Sequence, residues 1–62
     1  MTAPKALIDL IKRRTTAAET QEDIDSLRNT IDVLYAAMRM DDTQYLELTA
    51  FINAKATSLG LN

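Results

Sequence analysis

Asp41 and Asp42 stand side by side, and adjacent carboxylates are one way to hold Mg²⁺. The residues that follow decide how the pair reads. Thr43 opens a helical pattern, so the two acids occupy the N-cap region and the positive end of a helix dipole. Glu19, Glu22, Asp23 and Asp25 stand in the same relation to the preceding helical pattern and read as a solvated acidic first turn. Residue type excludes much of the remaining chemistry. Without histidine there is no imidazole base and no Ser-His triad, and without cysteine there is no thiolate nucleophile. Gly60 is the only glycine, so no glycine-rich loop can cradle a phosphate. The sequence therefore reads as a non-enzyme with no catalytic residue, no metal site and no cofactor.

Lys12-Arg13-Arg14 is the basic cluster. Residues 1–14 carry Lys5, Lys12, Arg13 and Arg14 against Asp9, a balance of +3, whereas residues 15–62 carry Arg28, Arg39 and Lys55 against eight acids, a balance of −5. The overall charge of −2 thus hides a basic N-terminal segment on an acidic body, an asymmetry that can steer a partner or a second copy of the chain. A nucleic-acid binder would want its cations on the helix entering a groove, yet the third helical segment offers Lys55 among acids. Leu7, Ile8, Leu10 and Ile11 make a small wedge with no aromatic anchor, which argues against a membrane role. No secretory signal pattern opens the chain, so the expected location is the cytoplasm.

Three helical segments must position these residues. The first spans about 3–14, with Thr2 as N-cap, Pro4 in the first turn and Ala3, Leu7, Leu10, Ile11 and the Arg14 stem on one face. The second spans about 17–40, opening at the capping box Thr16-Ala17-Ala18-Glu19 or one turn later at Thr20-Gln21-Glu22-Asp23. Ile24, Leu27, Ile31, Leu34 and Met38 follow at alternating three- and four-residue spacing, with Asp25, Arg28 and Asp32 on the polar side. The third spans about 43–59, with Tyr45, Leu48, Ile52, Ala56 and Leu59 on one face and Gly60 at the C-cap. The short joint between the second and third segments predicts an antiparallel hairpin. No strand-type alternation occurs, so the fold class is all-α: a short N-terminal helix followed by a hairpin, in one domain over residues 1–62.

A chain of 62 residues with no cysteine cannot staple itself with disulfides, and a lone core of this size supplies only about 3–5 kcal/mol. Val33, Ala37 and Met40 lie roughly opposite the main stripe of the second segment and form a candidate oligomer interface, making a homodimeric bundle the expected assembly. Leu46, Thr49, Ala50 and Asn53 flank the core face of the third segment and form a candidate surface for a protein partner, with Thr57 continuing the stripe.

Residues 24–53 resemble the small sporulation-control phosphatases, helical hairpins that carry the motif Ser-Gln-Glu-Leu-Asp and remove phosphate from the aspartate of response regulators. Ile24, Leu27-Arg28, Ile31 and Leu34 are similar to the first helix of that family, Asp42 falls in its turn, and Leu46-Glu47-Leu48 precedes the motif position. The motif position itself reads Thr49-Ala50-Phe51-Ile52-Asn53, with Thr49 for the serine, Asn53 for the aspartate, and Arg39 where a glycine is common. The resemblance implies a helical hairpin and a face that binds response regulators, without the charge on which the phosphatases depend. Leu34-Tyr35-x-x-Met38 followed by Tyr45-x-Glu47-Leu48 is also similar to part of NblA, the dimeric helical adaptor of phycobilisome breakdown. The residues taken alone predict a small regulator or inhibitor, of bacterial or phage type, that docks a helical face on a larger protein. The alternatives are an aspartyl-phosphate phosphatase and a nucleic-acid binder acting through Lys12, Arg13 and Arg14.

Overall fold

The computed structural model describes residues 2–61, in which α1 (Lys5–Ala17), α2 (Gln21–Ala36) and α3 (Asp42–Ser58) pack on one another and no strand occurs. Polar contacts between the helices give their directions. Arg28–Asn53, Asp32–Tyr45 and Tyr35–Asp42 ascend α2 while descending α3, so these two are antiparallel. Ala3–Gln44, Lys12–Glu47 and Thr16–Lys55 ascend both partners, so the N-terminal segment and α1 run parallel to α3. The all-α hairpin with an added N-terminal helix is the fold read from the pattern.

Each helix boundary has a local cause. Thr2 does not cap α1; its hydroxyl donates to the Asp41 carboxylate, and Pro4 occupies the N-cap position with its carbonyl accepting from Leu7 and Ile8. The capping box Thr16–Glu19 is not used. Thr15 and Thr16 remain helical, Thr15 fully buried against the other helices, and their hydroxyls donate to the Ile11 and Lys12 carbonyls at 2.8 and 3.0 Å. The box one turn later forms instead, with the Thr20 side chain accepting from the Asp23 N–H and the Asp23 carboxylate accepting from the Thr20 N–H. Asp41 and Gln44 make the equivalent box on α3.

α2 ends at Ala36, four residues short of the end expected from periodicity. Met38 takes a left-handed conformation (φ 59°), the Arg39 N–H donates to the Leu34 carbonyl at 2.9 Å, and the Met38 N–H donates to the Tyr35 carbonyl at 3.0 Å. This is a Schellman closure with methionine at the left-handed position. The reversal changes the phase of everything after it. Met38, expected to end the core stripe, is 73% exposed, while Met40, expected on the oligomer face, is buried at 2%. The C-terminus of α3 closes in the same way, with Gly60 at φ 75° and the Leu61 N–H donating to the Ala56 carbonyl.

The core gathers Ile11 and Thr15 from α1, Ile24, Leu27 and Ile31 from α2, and Leu48, Ile52 and Ala56 from α3. Ala3, Ala18 and Met40 close it from the connecting segments. Leu10 and Arg14, expected on the buried face of α1, are exposed, because the face that docks is centred on Ile11 and Thr15. Gln44 ties the N-terminal segment down: its side-chain amide accepts from the Ala3 N–H at 2.8 Å and donates to the Ala3 carbonyl at 3.0 Å. The accessible surface of 4169 Å² is close to the roughly 4000 Å² typical of a compact monomer of this mass. Three helices therefore close the core, and any pairing must use the apolar surface that they leave exposed.

Candidate interaction surfaces

The acids are built into the helix ends. Asp41 Oδ1 accepts from the Gln44 N–H at 2.7 Å while Oδ2 accepts from Thr2, and Asp42 accepts from the Tyr35 hydroxyl. Tyr45 in turn donates to Asp32 at 2.6 Å, and the two rings stack with centroids 4.4 Å apart and planes 23° from parallel. Each tyrosine thus reaches an aspartate on the opposite helix, cross-bracing the hairpin. Both phenols are raised above their ordinary value, Tyr35 chiefly by its hydrogen bond to Asp42 and Tyr45 by its bond to Asp32. Asp23 is held below the usual carboxylate value by the backbone N–H groups of Glu19 and Thr20. Among the described residues no group of three or more metal-ligating side chains converges.

The basic cluster is divided by the fold. Lys12 turns towards α3, where its ammonium donates to Glu47 at 2.6 Å and stands 5.9 Å from the centre of the Phe51 ring. Arg13 and Arg14 are exposed, and Arg14 borders the seam between α1 and α2.

Among the described residues two apolar surfaces stand out. The first is the outer flank of α3, where Leu46 is 66% exposed and Ala50 follows one turn later. Thr49 is half-buried with its hydroxyl shielded beside Tyr45, and the exposed Asn53 accepts from Arg28 at 2.9 Å. The expected partner stripe is therefore continuous at Leu46 and Ala50 and becomes polar towards α2.

The second surface is the α1–α2 seam, on the side away from α3. A depression of about 660 Å³ lies at one end, lined by Pro4, Leu7, Leu34, Ala37 and Met38 with Arg39 at its rim. A smaller one of about 270 Å³ lies at the other end, lined by Ala17, Ala18, Ser26, Leu27 and Thr30 together with the charged Arg14 and Asp23. Val33, 57% exposed, continues the apolar flank of α2 beside Ala37. Of the expected oligomer face, Val33 and Ala37 are on the surface and Met40 is not; Met38, Leu34 and Leu7 belong in its place. Periodicity alone could not reveal that exchange, because it follows from the left-handed turn at Met38.

No helix among the described residues is long and apolar enough to cross a membrane. No family model matches the chain, and no curated protein or solved structure matches it at significance.

Proposed function

We propose that the chain is a small non-enzymatic, cytoplasmic interaction module that regulates or inhibits a larger bacterial protein by docking the outer flank of α3, and that it also pairs with itself. The observation that carries the partner-docking reading is Leu46, a large apolar side chain 66% exposed, followed one turn later by the exposed Ala50, with the exposed polar side chain of Asn53 bordering the pair. An apolar centre with a polar border is the anatomy of a docking site. Covering Leu46 would contribute about 1–2 kcal/mol, a useful anchor on so small a protein. The acids that could have served chemistry cap helices and brace tyrosines, which favours a structural account of them.

A photoreactive residue at Ala50 should trap one protein of defined mass in the native host, and Leu46→Lys should abolish the adduct. Equal trapping by the Leu46→Lys variant would overturn the assignment of this face. The aspartyl-phosphate phosphatase reading has its own assay. Mixing with a phosphorylated response regulator should leave the phosphate in place, because an amide stands at Asn53 and is hydrogen-bonded to Arg28. Dephosphorylation lost in Asn53→Ala would establish a hydrolase instead. Salt-sensitive nucleic-acid binding, abolished by changing Lys12, Arg13 and Arg14 to alanine together, would establish the third reading.

A further inference from the structure

We infer that the α1–α2 seam seats a second copy of this chain in antiparallel register. Met38 of each copy enters the depression beside Ala18 of the other, and Arg39 meets the other copy's Glu22. The inference rests on the reading of the chain as a self-pairing module and names the face and the register.

Three observations converge on it. The first is the cost of Met38. A residue with a Cβ is strained at φ 59°, and a large apolar side chain 73% exposed gains little from the fold. Glycine would relieve both problems, as Gly60 does in the equivalent closure of α3. A side chain that serves the monomer poorly on two counts, at the border of an apolar depression, points to a contact made outside the monomer.

The second is shape. One face carries both a protruding side chain, Met38, and a hollow floored by Leu27 whose lining includes the small residues Ala17, Ala18 and Ser26. A two-fold contact requires a surface complementary to itself, with knob and hole on the same patch. At about 1.5 Å per residue, Asp23 and Ala36, the last residue of α2, lie roughly 20 Å apart, and a two-fold axis near Thr30, midway between them, exchanges the two ends of the seam. Val33 and Leu10, both exposed, then fall near the middle of the contact.

The third is charge. Arg39 borders one end of the seam, and Asp23 borders the other, with Glu19 and Glu22 nearby in sequence. Arg14 shares the second end, where these three acids outnumber it. Antiparallel pairing sets Arg39 of each copy against the acidic end of its mate, whereas parallel pairing sets like charge on like. Asp23 is engaged in its capping box, and of the other two acids Glu22, one helical turn before Ser26 of the hollow, is the carboxylate assigned to Arg39.

Sedimentation equilibrium over micromolar to millimolar concentrations tests the proposal. The wild-type mass should rise from 6.9 kDa to twice that value. Met38→Gly should weaken pairing by about tenfold or more, the loss expected of an anchor side chain, while the dilute protein melts at a higher temperature. Arg39→Glu should weaken pairing as well, and adding Glu22→Arg should restore it. A protein that stays at 6.9 kDa throughout overturns both the self-pairing and its seat. A dimer whose constant ignores Met38→Gly, or a charge swap that does not rescue, keeps the self-pairing and overturns the face and register proposed. Trapping through Ala50 and its loss in Leu46→Lys report on the α3 face independently.

Discussion

The two helix closures differ in one residue type, which makes them a matched test of backbone strain. Met38 and Gly60 both adopt positive φ, 59° and 75°, in the same hydrogen-bonded turn. The left-handed conformation costs about 1–2 kcal/mol for a residue with a Cβ. Replacing Met38 by glycine relieves that cost, and the greater freedom of glycine in the unfolded chain takes back about 0.5–1 kcal/mol. Little burial is lost, since the side chain is 73% exposed. The net gain is about 0–1.5 kcal/mol, and for a chain of this size it raises the melting temperature by up to about 12 °C. Gly60→Ala is the opposite perturbation. A Cβ there would meet nothing within 4 Å, so the penalty is conformational alone, and the melting temperature should fall by several degrees. Thermal melts followed by far-ultraviolet circular dichroism, at low micromolar concentration where the monomer dominates, read both changes. A Met38→Gly protein that melts below wild type would refute the argument, because it would mean that the Met38 side chain stabilises the monomer.

The core, the tyrosine pair and the caps each give further expected outcomes. Ile52→Ala empties a fully buried position and should cost about 2–5 kcal/mol, most of the stability available to so small a core, so its dichroism should show substantial unfolding at 25 °C. Leu46→Ala, on the exposed flank of α3, should change stability by no more than about 0.5 kcal/mol; similar losses in both variants would refute the division into core and docking face. Tyr35 and Tyr45 are the only tyrosines, and there is no tryptophan, so ultraviolet titration reads both phenols directly. Both should ionise above the ordinary value of 10.0, and Asp32→Asn should return Tyr45 towards it. Their folded-state values are raised, so the stabilisation is complete below pH 10.0 and is lost as the pH rises through the raised values; ordinary titration of both in the folded protein would refute the cross-brace. At the acid end the sign reverses. Asp23 is lowered from 3.8, so the stability it contributes is present above that pH and is lost as the pH falls through the lowered value. Thr20→Ala should cost about 1 kcal/mol, measured by urea denaturation, if the α2 capping box is formed.

The residues and their spacing determined much of this protein without tertiary information. Ile24, Leu27 and Ile31 could bury together only on a helix, as could Leu48, Ile52 and Ala56, and the short polar joint between them required a hairpin. Asp41 was legible as part of the α3 cap because an N-cap is a local device, whereas two starts for α2, at Thr16 and at Thr20, were both open to the sequence and the fold uses the second. Gly60 was legible for the same reason, since glycine fits a left-handed closure without strain. The persistence of α1 through Thr15 and Thr16 was less visible. Threonine is a modest helix former, and the helix continues here because Thr15 is buried against the other helices, its hydroxyl satisfied by the Ile11 carbonyl.

Only the packed structure decided which methionine is inside. Nothing in Ala36-Ala37-Met38-Arg39-Met40 marks a helix end, and a continuous helix would have kept Met38 on the core stripe. Closing the chain at Met38 lets Met40 enter the core and sets Asp41 at the start of α3, where it caps the helix and meets Thr2. The same is true of the candidate surfaces. Lys12 left the basic cluster because α3 brings Glu47 and Phe51 to it, and the seam depressions exist because α3 covers only one side of the α1–α2 pair. Helix identity and caps follow from contacts within a few residues, which spacing reports. The seam, the tyrosine brace and the exchange of Met38 for Met40 depend on contacts between helices, whose register is set only when all three pack.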